Sequence, residues 1–330
     1  MAGVADAPEA TAGPEAATLV GRAHAGDTRA LARLVSLIED GSPRLRSAMR
    51  ELAPLAGKAR VIGLTGAPGA GKSTVTSRLV AEYRGAGLRV GVLAVDPTSP
   101  FTGGALLGDR VRMQEHATDD GVFIRSMASR GHVGGLAAAT PQAIRALEAA
   151  RFDVILIETV GVGQVEVEVA SMADTVAVLV VPGMGDAIQA AKAGILEVGD
   201  VFVVNKADRP QAQETVRDLR GMVALAERGP EEWKPPVVTT VAVSGQGIGD
   251  LVARLDAHWS WLDKSGEGER RRVARARDEV AAIALGALRG RMAGLRGGSA
   301  LDSLACRVAA GQLDPYSAAD ELLGALGATP

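Results

Sequence analysis

One segment of the chain has the residue types and the spacing of a phosphate-binding loop. It follows the pattern G-x-x-x-x-G-K-S/T, and its residues are Gly66, Ala67, Pro68, Gly69, Ala70, Gly71, Lys72 and Ser73. Glycines let backbone N–H groups surround a β-phosphate, the lysine reaches the β- and γ-phosphates, and the serine hydroxyl can ligate Mg²⁺. The β-rich run Val61–Thr65 precedes the loop and a helical pattern from Thr74 follows it, which argues against a chance glycine-rich turn. The segment predicts a nucleoside triphosphate site.

A second motif predicts which base is bound. Asn205, Lys206, Ala207 and Asp208 form N-K-x-D directly after an apolar run, about 130 residues beyond the phosphate loop. In such sites the aspartate accepts two hydrogen bonds from N1–H and the exocyclic amino group of guanine, and adenine has no matching donor pair. We expect Asn205 to tie the loop together and the Lys206 stem to cover the base. GTP is the predicted nucleotide.

The turn Ser244-Gly245-Gln246-Gly247 fits the remaining loop of a guanine site. Its backbone N–H groups would meet guanine O6. A plain strand-to-helix turn is the alternative interpretation.

Three acidic residues, Asp96, Asp109 and Glu158, lie at or just beyond predicted strand ends. Together with Ser73 they are candidates for holding Mg²⁺, either directly or through the waters that this ion keeps. Glu158 occupies a position where aspartate is commoner, and its longer side chain favours a water-bridged contact. Asp96 has an alternative role as a turn-former before Pro97.

The segment Glu158-Thr159-Val160-Gly161 is the predicted γ-phosphate sensor, in which the Gly161 N–H binds the γ-phosphate. In Ras-like proteins a glutamine follows this glycine and orients the attacking water. Here Val162 follows, and the nearest glutamine is Gln164. We therefore expect slow intrinsic hydrolysis.

Seven candidate strands could position these motifs. They are Val61–Thr65, Arg89–Val95, Val122–Ser126, Asp153–Glu158, Thr175–Val181, Val201–Asn205 and Val237–Val243. Most are continuous apolar runs, and helical patterns such as Thr140–Ala150 and Asp186–Val198 separate them, as in a parallel sheet covered on both faces. The predicted fold class is α/β, with a doubly wound, mostly parallel sheet and the ligand at the carboxyl ends of its strands.

The chain is predicted to have four segments. They are a disordered N-terminus (1–16), an N-terminal helical segment (17–57), the nucleotide-binding domain (58–262) and a C-terminal helical segment (263–330). In the second, Asp27 is a predicted N-cap and Pro43 suits the first turn of a further helix. The last starts with an arginine-rich run (270–277), which is either a solvated or interfacial helix face or a patch for an anionic ligand.

Composition excludes several classes of protein. The 330 residues carry a net charge of −3, which argues against a dedicated nucleic-acid binder. A single cysteine, Cys306, allows no disulfide within the chain, and its apolar helical surroundings predict a buried thiol. The histidines lack metal-ligand spacing, the N-terminus does not resemble a signal peptide, and runs such as Thr175–Val181 are too short to span a membrane. The predicted location is the cytoplasm.

The motifs together resemble the MeaB/ArgK family, the methylmalonyl-CoA mutase-associated GTPases. Besides the phosphate loop and Asn205–Asp208, the resemblance rests on Val95–Pro100 with Thr102-Gly103-Gly104, on Leu107–Arg110 and on Glu158–Gln164. It covers the chain from about Leu19 to the C-terminus, and Glu158–Gln164 is its most specific part.

The resemblance implies a homodimeric GTPase whose C-terminal helices form much of the dimer contact. Such proteins are chaperones of adenosylcobalamin-dependent acyl-CoA mutases: GTP binding and hydrolysis gate cofactor loading, the mutase is protected from inactivation, and the mutase stimulates hydrolysis. The chaperone itself is not expected to bind cobalamin. Motif matching gives Lys72, Ser73, Asp96, Asp109 and Glu158 the phosphate and Mg²⁺ roles.

The family also has a mobile loop after the fifth strand, which reports the nucleotide state to the mutase. Here it corresponds to Val181–Lys192, with Asp186, Gln189 and Lys192 at its key positions. The neighbours of these three residues depart from the usual family pattern, so the partner is either methylmalonyl-CoA mutase or a related mutase. Asp186 has a simpler alternative role as a helix N-cap.

Three other functions would require different features. A nickel metallochaperone GTPase would require Cys/His clusters, which the sequence lacks. A transport-linked kinase would tolerate ATP and need a site for a small-molecule acceptor. A structural GTP-binding scaffold would show no stimulation of hydrolysis by a partner.

Overall fold

The structure is a computed structural model that describes residues 13–97, 114–116, 118–129, 135–159, 171–183, 198–226, 228–296 and 299–327. Its strands are β1 (Arg60–Gly66), β2 (Val90–Pro97), β3 (Val122–Ser129), β4 (Val154–Thr159), β5 (Thr175–Val180), β6 (Val201–Asn205) and β7 (Val237–Thr240). They form one sheet in the order β3-β2-β4-β1-β5-β6-β7, and every pairing is parallel. All seven predicted strands are present, and the predicted fold class is confirmed.

The helices are α1 (Gly13–His24), α2 (Thr28–Glu39), α3 (Leu45–Leu52), α4 (Lys72–Gly85), α5 (Gly135–Ala149), α6 (Ala212–Leu225), α7 (Ile248–Ser265), α8 (Glu267–Arg296), α9 (Ser299–Ala309) and α10 (Pro315–Gly327). The first seven of them pack on the two faces of the sheet. One apolar cluster joins α4 and α7 to the sheet, and the other joins α1, α2, α3, α5 and α6 to its opposite face. The first four residues of β4, Val154–Ile157, alternate between the two clusters and all are buried, which explains why the strands are continuously apolar.

The N-terminal helices differ in part from the prediction. Asp27 caps α2, since its carboxylate accepts hydrogen bonds from the N–H groups of Arg29 (2.9 Å) and Ala30 (3.1 Å). Helix α1, however, begins at Gly13, inside the segment (1–16) that was predicted to be disordered. Pro43 precedes α3 instead of lying in its first turn.

At the amino ends of β5 and β6, two aspartates meet two arginines of α8, and we call these four residues the aspartate–arginine cluster. Arg271 donates from both terminal nitrogens to the Asp200 carboxylate at 3.0 Å. Arg275 donates to the Asp174 carboxylate and to the Ala173 carbonyl. The arginine-rich run is therefore not wholly solvated, because Arg271 and Arg275 bind carboxylates of the same chain.

The two carboxylates of the cluster also fix strand backbone. Asp174 accepts from the Val61 N–H (3.1 Å) and Asp200 from the Val176 N–H (2.8 Å). His258 lies 3.3 Å from Asp200, and burial lowers the pKa of His258 to about 4, so the ring is neutral at neutral pH.

Contacts divide the chain into two units, Met1–Arg130 with Gly135–Arg275, and Gly131–Gly134 with Ala276–Pro330. In the second unit, α9 and α10 share a small buried cluster of Leu304, Ala318 and Leu322. Cys306 is exposed, so the predicted burial of its thiol is wrong. It lies two residues beyond Leu304, on the opposite side of a helix that buries only one face.

Candidate functional site

The phosphate loop connects β1 to α4 at the carboxyl edge of the sheet. Gly66, Gly69 and Gly71 all have positive φ values (139°, 76° and 90°). A Cβ at Gly66 would collide with the Leu179 carbonyl of β5, and one at Gly71 would collide with the Asn205 amide. Glycine is required at these two positions by close packing as well as by backbone conformation.

Two side chains at the start of α4 converge on the loop and on β4. Lys72 Nζ donates to the carbonyls of Gly66 (2.5 Å) and Ala67 (3.2 Å), which holds the ammonium over the loop. Ser73 Oγ donates to Oε1 of the buried Glu158 at 2.5 Å. A hydroxyl and a carboxylate are thereby joined beside the loop, and oxygen donors of this kind fit a hard divalent cation.

The other candidate metal and switch residues are only partly placed. Asp96 follows Val95, which pairs with Thr159 of β4, so its backbone lies at the same edge of the sheet as Glu158. Its side chain lies outside the described residues, as do the remaining candidates, Asp109, Gly161, Gln164, Asp186, Gln189 and Lys192. Within the described ranges there is no group of three or more His, Cys, Asp or Glu side chains that could hold a metal ion.

Asn205, the last residue of β6, connects three parts of the site. Its Nδ2 donates to the Ala70 carbonyl of the phosphate loop at 2.8 Å. Its Oδ1 accepts from Thr240 Oγ1 (3.1 Å) and from the Ala242 N–H (3.2 Å). The amide therefore joins the phosphate loop to the segment after β7.

The two residues predicted to contact the base are arranged differently from each other. Lys206 has a left-handed backbone (φ 57°), and its Nζ donates to the Gly69 carbonyl at 2.8 Å. Asp208 is exposed, and no hydrogen bond or ion pair is recorded for it among the described residues. Its carboxylate is thus accessible to a ligand.

The segment after β7, which we call the base loop (Val241–Gly247), is a tight turn. Its first residue, Val241, donates a hydrogen bond from its N–H to the Gln246 carbonyl (2.9 Å). The N–H groups of Ser244 and Gly245 donate to the carbonyls of Val241 (3.0 Å) and Ala242 (3.2 Å). This turn ends β7 at Thr240, three residues earlier than predicted.

Arg78 of α4 contacts the base loop, although it lies outside the sequence motifs of the site. Its Nε donates to the Ala242 carbonyl at 3.0 Å and its Nη2 to the Val243 carbonyl at 2.7 Å. Arg78 lies six residues after Lys72 on the same helix. No sequence motif signals this contact, because both acceptors are backbone atoms far along the chain.

Helix α4 also contacts the short 3₁₀ turn Gln114–His116. Ser77 Oγ donates a hydrogen bond to the Glu115 carboxylate and lies 3.0 Å from His116 Nε2. That hydrogen bond, and secondarily the charges of His116 and Arg78, lower the pKa of Glu115. Helix α4 thus contacts both the base loop and the turn that follows residues 98–113.

A parallel sheet with helices on both faces, a glycine loop at the start of α4 and an N-K-x-D segment at the end of β6 define the class of P-loop GTPases. The chain belongs to the MeaB family: the family profile described as methylmalonyl Co-A mutase-associated GTPase MeaB matches residues 31–294. The protein is accordingly a GTPase.

Individual relatives agree with this assignment. The chain is 48% identical over 308 residues to a putative GTPase of Pyrococcus abyssi, covering 92% of this chain and 95% of that protein. It is 35% identical over 215 residues to the mitochondrial methylmalonic aciduria type A homolog of Caenorhabditis elegans, covering 64% of this chain and 54% of that protein.

A solved structure has the same fold. The crystal structure of LAO/AO transport system kinase superimposes with a TM-score of 0.68 at 26% identity, and the match covers 98% of this chain and 100% of that one. In the part of the chain that the structure describes, no helix is both long and apolar enough to cross a membrane.

Proposed function

We propose that this GTPase is a chaperone of an adenosylcobalamin-dependent acyl-CoA mutase, either methylmalonyl-CoA mutase or a relative. The observation that carries the proposal is the match of residues 31–294 to the mutase-associated family. The name of the nematode relative, which refers to methylmalonic aciduria, supports the same metabolic context. GTP binding and hydrolysis would gate cofactor loading and protect the mutase, and this chain would not bind cobalamin itself.

In this proposal the phosphate loop, Gly66–Ser73 with Thr74, binds the phosphates of GTP. Lys72 leaves its loop carbonyls to contact the β- and γ-phosphates, exchanging one set of oxygen acceptors for another. When Ser73 Oγ ligates Mg²⁺ through a lone pair, its proton can remain donated to Glu158. Glu158 would then orient a metal ligand without contacting the metal.

Asp96 and Asp109 would complete the surroundings of the metal, and Mg²⁺ would supply positive charge to the phosphate oxygens. Gly161 would sense the γ-phosphate, and Gln164 is the nearest glutamine that could position water. With Val162 where Ras-like proteins have glutamine, we expect slow hydrolysis in the absence of the mutase.

The guanine base would lie between Asp208, Lys206 and the base loop. The exposed Asp208 carboxylate would accept from the base, and backbone N–H groups of Ser244, Gly245 and Gln246 would face O6. Asn205 would hold this arrangement against the phosphate loop through the hydrogen bonds described above.

The proposed coupling to the mutase uses Asp186, Gln189 and Lys192, in the segment that follows β5. The proposed homodimer uses the C-terminal helical segment (263–330), where Val280, Ile283 and Leu288 of α8 are exposed. We further propose that the protein acts in the cytoplasm.

We expect an acyl-CoA mutase partner to stimulate GTP hydrolysis roughly tenfold or more, because a partner that favours the hydrolysis-competent state raises its population. The measurement is the phosphate released from GTP by the purified protein alone and with each cobalamin-dependent acyl-CoA mutase of the same organism. Lys72→Ala should remove stimulated turnover and keep the circular dichroism spectrum.

Two results would contradict the proposal. Turnover as fast as that of an activated GTPase without any partner would refute slow intrinsic hydrolysis. Unchanged turnover with every mutase, in a protein that still binds GTP, would refute the chaperone role.

The name of the superimposable LAO/AO transport system kinase raises a second candidate, a nucleotide-dependent kinase linked to transport. That function predicts phosphate transfer to a small-molecule acceptor. Equal use of ATP and GTP together with a phosphorylated acceptor would support it, and strict use of GTP with phosphate released to water would exclude it.

A further inference from the structure

We infer that Arg78 is a positioning residue for recognition of the guanine base. This inference rests on the proposed function of the base loop as the O6-binding segment. The guanidinium joins α4, the helix that starts at the phosphate loop, to the two carbonyls at the middle of the base loop.

Arg78 provides a second hydrogen-bond donor for a carbonyl that also accepts from within the base loop. The Gly245 N–H donates to the Ala242 carbonyl over a long 3.2 Å hydrogen bond. Arg78 Nε donates to that same carbonyl at 3.0 Å. The carbonyl therefore keeps a partner when the Gly245 N–H turns to guanine O6.

Leaving a partly buried carbonyl without a hydrogen-bond donor costs free energy. In a loop without Arg78, the Ala242 carbonyl would depend on the Gly245 N–H alone. That N–H would then be less available to guanine O6. The fork of the guanidinium also donates to the Val243 carbonyl at 2.7 Å, which fixes two successive peptide groups at once. Two charge-assisted hydrogen bonds from one planar group define both the position and the orientation of the loop.

The contact of Arg78 with the base loop also connects the base site to the phosphate site through helix α4. Arg78 is carried by the helix that begins with Lys72 and Ser73, and Asn205 ties the phosphate loop to the Ala242 N–H from the other side. The peptide groups around Ala242 are thus held by Asn205 at one face and by Arg78 at the other. All of these hydrogen bonds join protein atoms to protein atoms.

The test is displacement of a fluorescent GDP analogue by GTP, ITP and ATP from wild type and Arg78→Ala. We expect the variant to bind GTP and ITP about tenfold more weakly by equal factors, since both bases carry O6 and one loop hydrogen bond to it is lost. ATP, which has no O6, should keep its affinity. The KM for GTP should rise while kcat stays close to that of wild type.

Two further variants separate positioning from general damage. Arg78→Lys keeps a positive charge but lacks the fork that reaches both loop carbonyls. It should recover part of the GTP affinity that Arg78→Ala loses. Arg254→Ala removes a cation that is more than half exposed on α7, the helix after the base loop, and should change nothing.

Each outcome has one interpretation. Equal losses for GTP, ITP and ATP, or no loss for any, would overturn the role of Arg78. A larger loss for GTP than for ITP would shift the effect from O6 to the amino group and would also overturn it. Failure of the proposed guanine site is seen separately, as a wild-type protein that binds ATP as tightly as GTP.

Discussion

Asp208→Asn is expected to weaken GTP binding by about 10²-fold or more, because two charge-assisted hydrogen bonds to guanine are lost or reversed. The carboxylate accepts from both N1–H and the amino group. An asparagine amide presents one acceptor and one donor to the same edge, and its NH₂ group faces the guanine NH₂ group.

The same change should improve binding of xanthosine triphosphate. Xanthine carries an oxygen where guanine carries the amino group, so the asparagine NH₂ finds an acceptor while its oxygen still accepts from N1–H. Replacing one carboxylate oxygen of Asp208 by an NH₂ group would thus shift the preference of the site from guanine toward xanthine.

The structure makes Asp208 suitable for this experiment. The residue is exposed and has no recorded partner in the described part of the chain, so its replacement should leave the fold intact. Isothermal titration with GTP and XTP gives the two affinities, and circular dichroism checks folding. Asp218→Asn, an exposed aspartate on α6, is the matched control. An unchanged GTP affinity in Asp208→Asn would refute the assignment of the base site.

The motifs of the candidate site could be recognised in the sequence because each is a short contiguous segment. Gly66–Ser73 and Asn205–Asp208 adjoin the apolar runs that form β1 and β6. Each run predicts a strand, and the strand places the motif at its carboxyl end. The predicted sheet is confirmed for the same reason: fully buried parallel strands are continuously apolar and easily recognised.

The supporting contacts could not be predicted in this way. Arg78 and its carbonyl acceptors are 164 and 165 residues apart, and backbone acceptors leave no trace in residue types. The start of helix α1 lies outside the predicted helical segment (17–57), because the buried positions of this helix, Ala16, Val20 and Ala23, are small and give weak apolar contrast. Asp109, Gly161 and Gln164 stay predictions, since they lie outside the described residues.

The arginine-rich run shows why local pattern is insufficient. Arg270 and Arg271 are neighbours with the same chemistry, yet Arg270 is 70% exposed and Arg271 is 31% exposed. What distinguishes them is the position of Asp200, directly before β6 in another part of the chain. Aspartates that precede two adjacent buried strands are the sequence signal that could have suggested such a partner.

Arg271→Ala is expected to destabilise the protein by roughly 3 kcal/mol, because it leaves a buried carboxylate without its cation. The Asp200 side chain is only 8% exposed, and Arg271 contributes two hydrogen bonds of 3.0 Å to it. The Val176 N–H would remain as a donor to this carboxylate, but a backbone N–H carries no net charge.

Urea unfolding at a fixed protein concentration measures this loss, and Arg270→Ala is the matched control. Arg270 pairs with Glu267 on the helix surface, and such exposed pairs contribute about 0.5 kcal/mol or less. The double variant Asp200→Asn with Arg271→Met should be more stable than Arg271→Ala alone, because no uncompensated charge remains. Equal stability of Arg271→Ala and Arg270→Ala would show that the aspartate–arginine cluster does not hold the start of α8 to the sheet.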